Sequence, residues 1–270
     1  MKPNSPGLWI CALAVYAFLY IPLAVVVIFS FNDSELNAQW VGFTTRWYAV
    51  LWQDSDMLSA ALSSLTIAVI SSTAATVLGT MTALAVQRHA MGFLLPLALG
   101  PVALPEVLLG VSLLLFFRQV LDLTLGLGSI LIAHVTFSIG AVAVIVKTQL
   151  THMDESIFEA ARDLGATPWK TLRFVTLPII SPAIAAGFLV AFTLSIDDFV
   201  ITFFTAGVGV KTLPLQIYSM IKVAVTPEVN AVSTVLMAVT LTFIAIAARI
   251  APHSVKGTGT VLRAAERGAP

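Results

Sequence analysis

Six runs of about twenty or more mostly apolar residues constrain this chain more than any other feature. They fall at 8–31, 58–86, 92–117, 124–146, 179–204 and 229–248. A helix rises about 1.5 Å per residue, so about 20 such residues cross roughly 30 Å of hydrocarbon. Backbone amides in hydrocarbon must find partners within the protein, and a helix satisfies them within its own segment. Hydrophobic residues make up 58% of the chain against 10% charged, with mean hydropathy +0.96. So few charges do not cover the surface of a water-soluble domain. The expected fold is an all-α integral membrane protein with six transmembrane helices.

Several functions are excluded on the same evidence. Lys and Arg number 14 and so do Asp and Glu, which leaves no net charge to draw a nucleic acid. Cys11 is the single cysteine and lies in the first run, so there is no disulfide framework. One positive charge, Lys2, precedes that run, which is too long for a signal-peptide core and reads as a retained helix. No phosphate-binding Gly-x4-Gly-Lys-Ser/Thr occurs, so the chain supplies no ATPase site of that kind. No Cys or His spacing suits a metal and no nucleophile–base set is evident, so neither cofactor nor enzymatic activity is expected. The pairs Asp33/Glu35 and Asp54/Asp56 fall in the loop 32–57 with Trp40, Trp47 and Trp52. That loop reads as an amphipathic interfacial segment over a pore mouth and as a docking surface for a solute-binding protein.

Orientation follows from the basic residues beside the runs. With the N-terminus inside, the inner segments hold Lys2, Arg88, Lys147, Arg162, Lys170, Arg173, Arg249, Lys256, Arg263 and Arg267. The outer segments hold only Arg46, Arg118, Lys211 and Lys222. Both termini and the polar segment 147–178 are therefore expected in the cytoplasm.

Within that segment, residues 154–166 read as a short amphipathic helix. Ser156 and Glu159 have capping-box spacing, Ile157, Phe158, Ala161 and Leu164 share one face, and Gly165 is placed to end the helix. Thr167-Pro168 then fits the cap and first residue of a second short helix, which Leu177-Pro178 is expected to end. Taken by itself, the segment suits either an interfacial helix on the inner leaflet or a knob that seats in a partner's groove.

Glu159-Ala160-Ala161, Gly165 and Val175-Thr176-Leu177-Pro178 together spell Glu-Ala-Ala-x3-Gly-x9-Val-x-Leu-Pro. This pattern resembles the coupling loop of permease subunits of bacterial ABC importers, with Val175 where isoleucine is more usual. The order of the runs around the loop is similar to the type I importer permease over about 58–250. Ser195-Ile196-Asp197-Asp198-Phe199, Leu213-Pro214-Leu215-Gln216, Thr226-Pro227-Glu228-Val229-Asn230-Ala231 and Phe29-Ser30-Phe31-Asn32 resemble the polyamine branch. Within it they resemble the second permease of spermidine/putrescine importers. Importers of iron, thiamine and aminophosphonates share parts of these strings.

The resemblance implies a type I fold in three parts: a first helix and outer loop at 1–57, a permease core at 58–250 and a short cytoplasmic tail at 251–270. It implies a bacterial inner-membrane location and a heterodimer with a second homologous permease. Two copies of an ABC ATPase would lie below and a periplasmic solute-binding protein above, with lipid around. Ile157, Phe158, Glu159, Ala160, Ala161, Arg162, Gly165, Leu177 and Pro178 are the expected ATPase-coupling residues.

Acids inside a bilayer are costly and usually face protein or water. Asp197 and Asp198 stand near the outer end of the fifth run, where helical neighbours diverge by about 100° and one of them faces the pathway. Glu106 follows Pro101 and Pro105, the single clear helix break in the sequence. All three suit a negative path for a di- or polyamine cation, and they suit interhelical hydrogen bonds as well. His134, mid-run, fits a buried hydrogen-bond partner. Tyr218 and Trp47 fit either stacking on an amine or interfacial anchoring. The expected function is the pore-forming subunit of a polyamine ABC importer. The alternatives are another cargo, an aminophosphonate or a ferric complex, and a transporter driven by an ion gradient. Paired broken helices in inverted repeats mark that last class.

Overall fold

The structure is a computed structural model and describes residues 6–35, 39–88 and 91–250. Lys2 and the basic tail from Pro252 lie outside the described residues. In chain order the helices are α1 (Pro6–Phe29), α2 (Arg46–Gln53), α3 (Ser55–Arg88), α4 (Leu94–Ala103), α5 (Glu106–Leu115) and α6 (Leu127–Thr151). They continue with α7 (Glu155–Asp163), α8 (Pro168–Thr171), α9 (Leu177–Ile196), α10 (Val200–Thr205), α11 (Leu213–Val223) and α12 (Pro227–Ile250). Among the described residues the remainder is π-helical turns at Phe116–Val120 and Leu172–Thr176, loops and turns, and an isolated antiparallel bridge between Asn32 and Phe43. Five stretches are long and apolar enough to cross a membrane, and α4 with α5 makes a sixth.

The chain groups into two compact units. One joins the segment up to Ser63 with Lys211–Thr240. Its core gathers Leu51 of α2, Met57 of α3, Leu213 and Ile217 of α11, and Val229 and Val232 of α12. α2 is amphipathic, as expected of the loop: Leu51 is buried while Trp52 is exposed. Asn32 ties the preceding loop together. Its Nδ2 donates to the Gln39 carbonyl (2.9 Å), its Oδ1 accepts from Val41 N–H (2.9 Å), and its carbonyl accepts from Trp47 Nε1 (2.8 Å). A buried amide with every group satisfied is a fixed point for a surface loop. The loop carboxylates have structural partners too. Asp54 Oδ1 accepts from the N–H groups of Asp56 and Met57 and so caps α3, Asp56 meets Lys211 at 3.1 Å, and Asp33 meets Arg46 at 3.9 Å.

The second unit spans Ser64–Val210 and the stretch from Leu241. α6 is its central helix, packed on α9 and α4. Val142, Val146 and Leu150 of α6 pack with Ala75 and Ala83 of α3 and Ile180 and Ala191 of α9. Close packing in a membrane depends on small residues. A Cβ on Gly79 would stand 2.7 Å from that of Val142, and one on Gly140 would collide with the Ala98 carbonyl.

The break expected at Pro101 and Pro105 is present, with the third run divided into α4 and α5 at a bend of 106°, while two other expectations are corrected. Pro105 has no N–H to continue the ladder, and Leu104 before it is extended (φ −86°, ψ 143°). The fifth run is likewise not continuous: α9 stops at Ile196 and α10 begins at Val200, so Asp197 and Asp198 occupy a break. Leu177-Pro178 does not end the second loop helix. A π-helical turn at Leu172–Thr176 links α8 to α9, with Leu177 N–H bonded to the Leu172 carbonyl. The widened turn admits Pro178 in the first turn of α9, where its missing N–H costs little. α10 and α11 were not legible in the sequence as separate helices.

Candidate functional site

α7 is held at both ends by its own sequence. At its start Asp154 is extended (φ −69°, ψ 131°) and its Oδ1 accepts from Ser156 N–H at 2.9 Å. The N-cap is therefore Asp154, not the expected Ser156, because an extended residue there leaves its carboxylate aimed at the free amides of the first turn. The Ser156 amide, and then its hydroxyl, hold the Asp154 carboxyl below its ordinary value, so it is ionised at neutral pH. At the other end Gly165 takes φ +74°. Its N–H bonds the Arg162 carbonyl (2.8 Å) and Ala166 N–H bonds the Ala161 carbonyl (3.0 Å), which is a Schellman motif.

The expected apolar face of α7 is divided between two environments. Ala161 is buried, and half-buried Phe158 faces a cavity of about 930 Å³ bordered by Leu84, Gln87, Leu150, Arg162 and Thr176. Ile157, Ala160 and Leu164 are exposed, Leu164 at 88%. Their spacing of three and four residues makes one stripe. Exposed Trp169 and Phe174 follow it in the chain, while Glu159 and Arg162 border the cavity. Apolar side chains exposed on a segment so firmly capped suit a partner more than they suit water.

The acids lie at the two helix breaks. Glu106 is the first residue of α5 and is exposed. Asp197 ends α9, is exposed, and lies near enough to Glu106 and Asp198 for their charges to repel. α5 and α10 pack directly, Gly110 against the ring of Phe204. Among the described residues neither Glu106 nor Asp197 forms an ion pair.

Asp198 points the other way, its side chain only 6% exposed. One carboxylate oxygen accepts from Thr202 N–H (2.8 Å) and the Thr202 hydroxyl (2.7 Å), and the same oxygen stands 3.3 Å from His134 Nε2. His134 is 1% exposed. Its Nε2 contacts the Thr202 hydroxyl (2.9 Å) and its Nδ1 the Ser195 hydroxyl (2.7 Å), which meets the Ser71 hydroxyl at 3.0 Å. A buried polar chain thus joins α3, α6, α9, the break and α10. Sequence reasoning expected partners for His134 but did not identify them. Ser195, Asp198 and Thr202 lie in the fifth run and Ser71 in the second, and only the fold brings them to His134 of the fourth.

A serine, a histidine and an aspartate do line up here, although linear spacing showed no nucleophile–base set. The arrangement is closed to chemistry: all three side chains are buried, and Ser195 is bonded on its far side to Ser71. The aromatic candidates already have cations of their own. Arg46 lies 4.6 Å from the Trp47 ring and Lys222 4.6 Å from that of Tyr218. Among the described residues no cluster of His, Cys, Asp and Glu has metal-binding geometry.

Residues 75–257 match the family described as binding-protein-dependent transport system inner membrane component. The spermidine/putrescine transport system permease protein PotC of Escherichia coli K12 is 42% identical over 252 residues, covering 92% of this chain and 95% of that one. The putrescine transport system permease protein PotI of the same strain is 43% identical over 244 residues, covering 87% and 86%. In fold, the chain is similar to one in the crystal structure of a bacterial ABC transporter involved in import of the acidic polysaccharide alginate. That likeness has a TM-score of 0.72 at 15% identity and covers 91% of this chain and 93% of the other.

Proposed function

This chain belongs to the binding-protein-dependent transport system inner membrane component family, and we propose that its cargo is a di- or polyamine, putrescine or spermidine. It is an inner-membrane permease subunit of an ABC importer, not an enzyme. The cargo reading is supported by relatives more than 40% identical that are polyamine permeases. The observation that carries it in this chain is the pair of exposed acids at adjoining helix breaks, Asp197 and Glu106. Neither is neutralised by a cation among the described residues. Intramembrane acids of this kind attract an ammonium and repel an anion. Asp198, the third acid expected in the pathway, stands apart from that pair, its carboxylate held inward against α10.

Ten basic residues beside inner segments against four outside put both termini and α7 in the cytoplasm. There Ile157, Phe158, Glu159, Ala160, Ala161, Arg162 and Gly165 form the knob received by an ATPase, and Leu177 and Pro178 join it to α9. The permease pairs with a second, homologous permease above two ATPase copies, and a periplasmic solute-binding protein delivers the cargo. ATP binding draws the knobs together and opens the pore outward; hydrolysis resets it inward, a rigid-body exchange between two states.

The test is uptake of labelled putrescine and spermidine by cells expressing the whole transporter. Asp197→Asn and Glu106→Gln keep the side-chain shape and remove the charge. Each is expected to lower uptake about tenfold at unchanged permease abundance, the scale of one lost charge-assisted contact. Wild-type uptake in both variants would remove the acids from the pathway.

A further inference from the structure

The Asp198 carboxylate is gripped from two sides. Thr202, one turn into α10, binds it locally, and His134 reaches it from α6. The hydrogens on this network can be assigned. Thr202 has one hydroxyl proton and gives it to Asp198, so its oxygen faces His134 as an acceptor and His134 Nε2 carries a hydrogen. In the neutral ring Nδ1 then accepts from Ser195. His134 is thus the only side chain of α6 shown bonding to both sides of the break among the described residues: Ser195 on the last turn of α9, and Thr202 on α10. Between those two anchors the backbone leaves the helix at Asp197 (φ −101°, ψ 0°), the point where that side chain becomes exposed.

We infer that His134 is a positioning residue for the transport pathway: it spans the break between α9 and α10, holds Asp198 inward, and so keeps Asp197 directed outward. The alternative use of a buried histidine, simple space filling, makes no demand on which ring nitrogen is replaced. The bridge does. Glutamine carries an amide nitrogen about as far from the backbone as Nε2 and retains the arm toward Asp198 and Thr202. Asparagine reaches only as far as Nδ1 and retains the Ser195 arm alone.

The inference rests on the polyamine-path reading of Asp197 for its functional meaning, but its test does not depend on the cargo. In the intact transporter bearing Cys11→Ala, Asp197→Cys is labelled with a membrane-impermeant cationic thiosulfonate, normalised to permease abundance. The expected result is a labelling rate about tenfold lower with His134→Asn added and within about twofold of the parent with His134→Gln, the scale of one buried hydrogen bond to a charged group. Thr202→Val, which removes the bridging hydroxyl and leaves the histidine intact, is expected to slow labelling as His134→Asn does and serves where that variant fails to accumulate. Equal labelling rates in the asparagine and glutamine variants, or in Thr202→Val and its parent, would overturn the inference. Separately, wild-type spermidine uptake by Asp197→Asn would overturn the pathway reading and leave the labelling result standing.

Discussion

Replacing Asp198 with alanine is expected to strip the membrane of most of the folded permease. The carboxylate accepts from the Thr202 amide and hydroxyl and faces His134 Nε2, all inside the protein. Its loss leaves those donors without an acceptor where water does not reach them. One unsatisfied buried donor costs about 1–3 kcal/mol, so several together cost on the order of 3 kcal/mol or more. That is a large part of the total stability of an ordinary domain. Asp198→Asn keeps a carbonyl oxygen for Thr202 and is expected to retain much more protein. Quantitative immunoblotting of membranes, followed by thermal unfolding in detergent, measures both variants. Wild-type abundance and stability in Asp198→Ala would show that the buried chain is not what holds the break.

The second large effect is expected on the opposite terms, with folding intact and coupling lost. Leu164→Asp places a charge at the end of the exposed stripe of α7, on a side chain already 88% open. Within this chain the substitution disturbs little, so permease abundance should stay as it is. In the assembled transporter the stripe is the surface proposed to enter the ATPase, and a lone charge enclosed there costs several kcal/mol. Uptake and ATP hydrolysis stimulated by the loaded binding protein are both expected to fall by about a hundredfold or more. Undiminished stimulation in Leu164→Asp would place the ATPase contact elsewhere.

The two variants mark the boundary between what the sequence made legible and what it did not. Runs of apolar residues located the first, second, fourth and sixth spans to within a few residues, because the membrane imposes length and composition directly. The Gly165 stop and the Thr167-Pro168 start were also legible, since each depends on a local backbone requirement: a left-handed residue in one case and a dispensable N–H in the other. Pro101 and Pro105 signalled the first helix break for the same reason. The break at Asp197 to Phe199 carries no proline or glycine, and nothing local announces it. It exists because Asp198 finds partners on α6 and α10 in place of the helical ladder. That second break removes one sequence argument against an ion-gradient transporter, which had rested on there being a single break. What decides between the two classes is the family match over 75–257, together with the high identity to importer permeases. The division of the α7 face was hidden too. Periodicity grouped Ile157, Phe158, Ala161 and Leu164 on one side, but only the packing beneath α7 shows which of them remain available to a partner.

The most direct measurement is ATP-dependent uptake of labelled spermidine and putrescine by cells expressing this permease with its transporter partners, with and without Glu159→Ala. Glu159 is exposed at the rim of the α7 cavity and belongs to the segment proposed to couple to the ATPase. Uptake that stops on ATP depletion and falls about tenfold in Glu159→Ala at equal permease abundance is the predicted result. Uptake that persists undiminished in ATP-depleted cells, and is indifferent to Glu159, would contradict it.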